Sequence, residues 1–232
     1  MTNWFNNVIN NVTSTVTGQS LTNTSSSTDG CHVYAALVMR HWDINSACRL
    51  SAEYDFSILP SYVAKMATEL TDFVARTCAI EAKPHQTKGV AMDNDMGTFY
   101  IRATGNQPPQ QLVYIIAVNK CCTKYQAFKI ISEIMQTYRP PIVSGYKDST
   151  GNDLKSPVLR EIMNKYKGQK DKLLEAQSKL DETKQIVIDT LDGLIARQGD
   201  LDALIAKSQD MSHSTARLMR DAKRRNSCCL MM

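Results

Sequence analysis

The spacing of apolar and polar positions changes along the chain, and each change marks a different kind of element. In the first 30 residues Trp4, Phe5, Val8, Ile9, Val12 and Val16 recur at helical spacing. They sit in a stretch of Asn, Thr and Ser that closes on Asp29-Gly30, and such residues form helices poorly. Residues 1–30 are therefore expected to be a polar, disordered N-terminal extension. The alternative is a short amphipathic helix that touches a membrane or folds back on the body.

From 31 to 140 the period shortens to that of strands and then alternates with helical stripes. Residues 32–39 read as an apolar strand and 48–52 as its hairpin partner. Residues 59–80 carry Val63, Met66, Leu70, Phe73, Val74 and Thr77 on one helical stripe. Three short strands follow at 89–92, 97–103 and 112–118, turned at Asp93-Asn94-Asp95 and at 105–109. A second helix over 124–138 stops ahead of Pro140-Pro141. The order of two strands, helix, three strands, helix predicts an α+β domain with antiparallel hairpins covered by helices.

Residues 141–157, rich in Pro, Gly, Ser and Asp, read as a linker. Beyond them the chain has no proline and is rich in Lys, Glu, Asp, Gln, Ala and Leu, which predicts a long helical segment over 158–227. From Leu173, alternating steps of three and four residues trace one seam: Leu173, Ala176, Leu180, Thr183, Val187, Thr190, Leu194, Arg197, Leu201, Leu204, Ser208, Met211, Thr215, Leu218 and Ala222. An unbroken heptad register of this length predicts a supercoiled bundle. Ile188, Leu191, Ile195 and Ile205 widen the apolar face beyond a two-stranded seam and favour more than two helices.

Arg197 interrupts the seam. A charge at a core position is costly unless partner helices bring acceptors to the same level, and a buried polar layer fixes register and partner number. Thr183, Thr190, Ser208 and Thr215 weaken the seam, and Gly193 and Gly199 flank the arginine at about 1 kcal/mol each relative to alanine. The segment is expected to fold on its partners rather than alone.

Charge and cysteine usage add the chain's end to this picture. The net charge of +4 is mild, but Arg217, Arg220, Lys223, Arg224 and Arg225 concentrate it near the C-terminus. Cys229-Leu230-Met231-Met232 fits the C-a-a-X pattern with terminal methionine, which points to farnesylation of Cys229. Cys228 offers a second acylation site, and two membrane signals are what stable anchoring requires. No stretch reaches the roughly 20 apolar residues of a membrane span. The other cysteines show neither metal-ligand spacing nor a disulfide framework, and a reducing cytosol is the simplest reading. The glycosylation-like Asn11-Val12-Thr13 and Asn23-Thr24-Ser25 read as chance matches.

The run Leu180-Asp181-Glu182-Thr183-Lys184 with Arg197, Leu201-Asp202, Leu204 and Lys207-Ser208 resembles an R-SNARE motif. Arg224-Arg225-Asn226-Ser227-Cys228-Cys229 resembles the end of the prenylated longin R-SNAREs, the synaptobrevin homologues without a transmembrane helix. The resemblance covers about 31–232. It implies a longin (profilin-like) domain over 31–140, a five-stranded antiparallel sheet sandwiched by helices, followed by a long coiled-coil helix. The implied role is vesicle docking and membrane fusion. Arg197 would face three glutamines of three Q-SNARE helices, with Leu173, Leu180, Val187, Leu194, Leu201, Leu204, Met211, Leu218 and Ala222 as core layers. Cys228 would carry palmitoyl and Cys229 farnesyl, and residues 228–232 form the lipidation motif. The longin domain would fold back on the arm and keep it inactive. No catalytic group, metal, further cofactor or nucleic acid is implied. The protein would cycle between cytosol and the cytoplasmic face of Golgi, endosomal or vesicle membranes. Two features depart from the pattern: the leader before residue 31, and Met66, Glu69 and Leu70 where phenylalanines are usual, which bears on the lipid-holding groove.

Other readings fare worse. A lipidated small GTPase needs a G-x-x-x-x-G-K-[ST] loop, which is absent from the sequence. A cysteine enzyme would have to use Cys78 with His85, or Cys121-Cys122, neither of which has a recognisable nucleophile context. A regulatory longin protein that binds SNAREs without driving fusion is the remaining alternative.

Overall fold

A computed structural model describes residues 30–43, 46–57, 59–92, 97–138, 156–169, 186–208 and 211–228. The strands are β1 (Val33–Asp43), β2 (Ser46–Tyr54), β3 (Thr87–Ala91), β4 (Thr98–Ala103), β5 (Gln111–Val118) and β6 (Ile188–Thr190). The helices are α1 (Ser61–Glu81), α2 (Lys124–Thr137), α3 (Pro157–Tyr166), α4 (Leu191–Arg197), α5 (Leu201–Lys207) and α6 (His213–Cys228).

The expected strands and the two domain helices all form, with boundaries a few residues from the sequence reading. The sheet order is β2-β1-β5-β4-β3-β6. Its first five strands pair antiparallel, with Leu37 opposite Ile115 and Ile101 opposite the same residue on the other side. The sixth strand is added parallel to β3, placing Ile188 opposite Gly89 and Thr190 opposite Ala91. The longin architecture is thus present, and the C-terminal segment extends its edge.

Both faces of the sheet are covered, which is why β1 and β5 read as continuous apolar runs rather than alternating ones. Successive side chains of β1 point to opposite sides. Ala35, Leu37 and Met39 meet Leu70, Phe73, Val74 and Cys78 of α1 in one core. Ala36 and Val38 meet Ile130, Ile131 and Ile134 of α2 in the other. Thr123 caps α2 by accepting from the backbone N–H of Gln126 at 3.2 Å.

Pro157 starts α3 at a first-turn position where its missing N–H costs nothing. Leu159, Ile162, Met163 and Tyr166 then join the α2 core. Lys167 pairs with Asp55 at 2.7 Å and Arg160 with Glu53 at 2.8 Å, so α3 is tied to the sheet beside β2. Just beyond it, Gly168 and Gln169 bond to Cys31 like one rung of a ladder. The approach is close: a Cβ on Gly30 would lie 2.4 Å from the carbonyl oxygen of Gly168.

The segment expected to be one long helix runs differently. Its described part is the strand β6 followed by α4, α5 and α6, wrapped across α1. Gly199 stands between α4 and α5 with φ +105, a conformation an L side chain rarely adopts, and this ends α4. Thr190 caps α4 by accepting from Gly193 N–H at 3.1 Å. Gly199 therefore acts as a break and Thr190 as a cap when no partner helix is present. The seam positions Leu173, Ala176, Leu180 and Thr183, the N-terminal extension to residue 29, most of the linker and Cys229 lie outside the described residues.

Candidate functional site: the arm on its docking face

The arm buries the Leu194, Leu201 and Leu204 positions of its seam in the core shared with α1. That helix is packed on two sides, with Leu70, Phe73 and Cys78 in a core shared by the sheet and the arm. On the arm, Leu191, Leu194, Ile195, Leu201, Leu204 and Ile205 are all buried there, joined by Ala216 and Met219 of α6. Met211 and Leu218 are half-buried against the same cluster. Three proposed layer residues, Leu194, Leu201 and Leu204, thus share one contact surface although they no longer share one helix. Val187, just before β6, is 70% exposed, although its carbonyl accepts from the Gly89 N–H of β3 at 3.0 Å. Ala222 and Cys228 fall on the helical backbone of α6.

Arg197 lies at the edge of this surface rather than inside it, with about half of its side chain exposed. Its Nε donates to Glu81 Oε1 at 2.5 Å and its Nη2 to Glu81 Oε2 at 3.4 Å. The same Nη2 donates to Asp189 Oδ2 on β6. Glu81, the last residue of α1, also accepts from the buried Lys88 of β3. Two cations and two carboxylates therefore meet where α1, β3, β6 and α4 converge. Burial would raise the Glu81 carboxyl, but hydrogen bonds from Arg197 and Lys88 hold it below the usual range. The hydrogen bond from Arg197 likewise lowers Asp189, and both acceptors raise the guanidinium further. Next to the arginine, Gln198 donates from Nε2 to the Thr77 carbonyl at 2.6 Å. A cleft of about 240 Å³ remains beside this point, lined by Phe73, Ile80 and Leu204 with Arg76 and Lys207.

A second polar anchor sits at the start of α6. Glu69 Oε2 accepts from Ser212 N–H at 3.1 Å, Ser212 Oγ at 2.7 Å and Thr215 Oγ1 at 2.6 Å. A carboxylate at a helix N-terminus satisfies otherwise orphaned donors and complements the helix dipole. The departure from phenylalanine at Glu69 thus has a use: the residue holds the arm by hydrogen bonds. Neither Glu81 nor Asp189 carried a sequence signal, since each is an ordinary charged residue until the fold brings the arm back.

The cysteine alternatives find no catalytic setting. Burial pushes the Cys78 thiol up to about 12, far from a reactive thiolate. Cys122 is buried and Cys121 exposed. Among the described residues no group of three or more His, Cys, Asp or Glu is placed to hold a metal ion. Among them, too, no helix is long and apolar enough to cross a membrane.

A longin-type sheet and helices carrying a heptad arm with one central arginine define the architecture of the longin R-SNAREs. Over most of its length the chain is similar to proteins named as VAMP-like proteins or synaptobrevin homologs. It is 28% identical to the VAMP-like protein YKT61 of Arabidopsis thaliana over 79% of this chain and 90% of that protein. It is 26% identical to the synaptobrevin homolog YKT6 of Eremothecium gossypii over 86% of this chain and 99% of that one. The synaptobrevin homolog YKT6 of Saccharomyces cerevisiae is 26% identical over 80% of this chain and 92% of its own length. No protein-family model matches the chain.

Proposed function

We propose that the protein is an R-SNARE that serves vesicle docking and membrane fusion. Its arm would join three Q-SNARE helices in a four-helix bundle, with Arg197 facing three glutamines. Leu173, Leu180, Val187, Leu194, Leu201, Leu204, Met211, Leu218 and Ala222 would form the layers around it. The bundle would zip from Leu173 towards a C-terminal anchor of palmitoyl on Cys228 and farnesyl on Cys229, pulling the two membranes together. The longin domain would inhibit assembly by occupying the arm. One observation carries the reading: Leu194, Leu201 and Leu204, which are seam residues in the sequence, lie buried against α1 as a partner helix would bury them.

Mixing the 158–227 segment with three glutamine-layer helices should give a heat-resistant complex with a large gain in helicity. Absence of that gain would remove the fusion reading.

A further inference from the structure

Arg197 is the residue on which the proposed assembly turns, and in the folded-back chain it is not idle. The surrounding apolar residues dock on α1 by burial, which is non-directional and would accept many arms of similar shape. The arginine adds geometry. One carboxylate of the domain, Glu81, receives both Nε and Nη2, while Asp189 of the arm takes Nη2 from β6. A fork against a carboxylate is among the most orientation-specific pairings available to a protein. Glu81 is itself held in place by the buried Lys88 on the neighbouring strand. The site is thus prepared on the domain and completed when the arm arrives.

We infer that Glu81 is a specificity-determining residue that reads the central arginine of the arm, standing in for the acceptors that partner helices would supply. The inference rests on the reading that the docked arm is withheld from assembly. Glu81 accepts the guanidinium in a half-exposed site, where the charge keeps part of its water. A four-helix core would have to accept the same charge without water, so only partners with acceptors at that level can compensate for its release. The domain and its competitors then select on the same residue. An arm with a neutral side chain at 197 would lose both the fork and the link to β6, and would dock less tightly although its apolar seam is unchanged.

The test uses the full chain. Hydrogen exchange of residues 191–207 should rise about three- to tenfold in Glu81→Gln, in line with a half-exposed charged fork. Arg197→Gln should give a similar rise, and the double variant should add little to either, because both remove one interaction. The increase in exchange with added salt, present in the wild type, should shrink in each variant. Full additivity of the two substitutions, or no change in either, overturns the inference. If Glu81→Gln disturbs the domain through Lys88, Glu81→Gln with Lys88→Met removes both partners, and Asp189→Asn weakens the fork without touching the domain. Each must still loosen 191–207 while leaving exchange of β1 and β5 unchanged. Failure of the underlying reading looks different. There, the assembly rate of the wild-type chain with three glutamine-layer helices would climb linearly with partner concentration. A withheld arm instead gives a rate that saturates, with an initial slope that Glu81→Gln raises about three- to tenfold.

Discussion

At the scale of single residues the two halves of the α1 core carry different consequences. Ile115 lies at the centre of β5, fully buried among strands and α1. Shortening it leaves a hole that nothing can fill by moving away, so Ile115→Ala should cost about 2–5 kcal/mol of global stability. Leu194 is just as buried, yet its burial depends on the arm staying docked. The loss from Leu194→Ala is limited by the docking free energy, because the arm can lift while the sheet remains intact. Thermal melting followed by far-ultraviolet circular dichroism should therefore show a clear drop in Tm for Ile115→Ala and a small one for Leu194→Ala. Hydrogen exchange should separate them further, with Leu194→Ala accelerating 191–207 alone. Equal Tm losses would mean that arm and domain unfold as one unit.

Among the elements, the strands were legible where the period was clear, and β1 and β5 announced themselves by unbroken apolar runs. Their pairing with helices on both faces explains those runs better than a one-sided sheet would. What the seam could not show was its alternative use. A heptad pattern encodes an apolar face, and Leu194, Leu201 and Leu204 satisfy it against α1 once Gly199 breaks the helix between them. Ion pairing then decides how the pieces are held, and those partners are distant in sequence. Asp55 illustrates this on α3. Burial opposes its charge, but hydrogen bonds from Lys167 and Ser57, with the nearby His32, lower its carboxyl from 3.8 to about 2. A depressed carboxyl contributes stability that is complete above its unfolded value and is lost as pH falls through its folded one. The α3 tether should accordingly hold at neutral pH and loosen between about pH 4 and 2. Glu81 and Asp189 are shifted the same way, so the arm should loosen in the acid range as well. Amide exchange of 157–169, corrected for the intrinsic pH dependence, should rise in that window, and Lys167→Met should raise exchange already at neutral pH and flatten its rise on acidification. A tether that loosened on raising the pH would contradict the assignment.

For the molecule as a whole, the folded-back arm and the proposed C-terminal lipids make a single problem of access. The backbone of α6 continues to Cys228, the first of the two proposed acylation sites, and the N-terminal end of that helix is fixed to Glu69. The cationic residues Lys223, Arg224 and Arg225 immediately precede those sites in the sequence. A single prenyl chain binds a bilayer only marginally and reversibly, with an association constant on the order of 10⁴ M⁻¹ for one myristoyl-sized chain. Loss of one lipid should therefore not equal loss of the other. Cys229→Ser removes the C-a-a-X cysteine, so farnesyl incorporation should be abolished and the protein should move to the soluble fraction in cell fractionation. Cys228→Ser leaves that site intact and should give intermediate partition, with the remaining membrane fraction falling at high salt as the basic cluster is screened. If Cys229→Ser leaves membrane partition unchanged, the anchor lies elsewhere in the chain. If instead both variants are equally soluble, the two cysteines act as one signal.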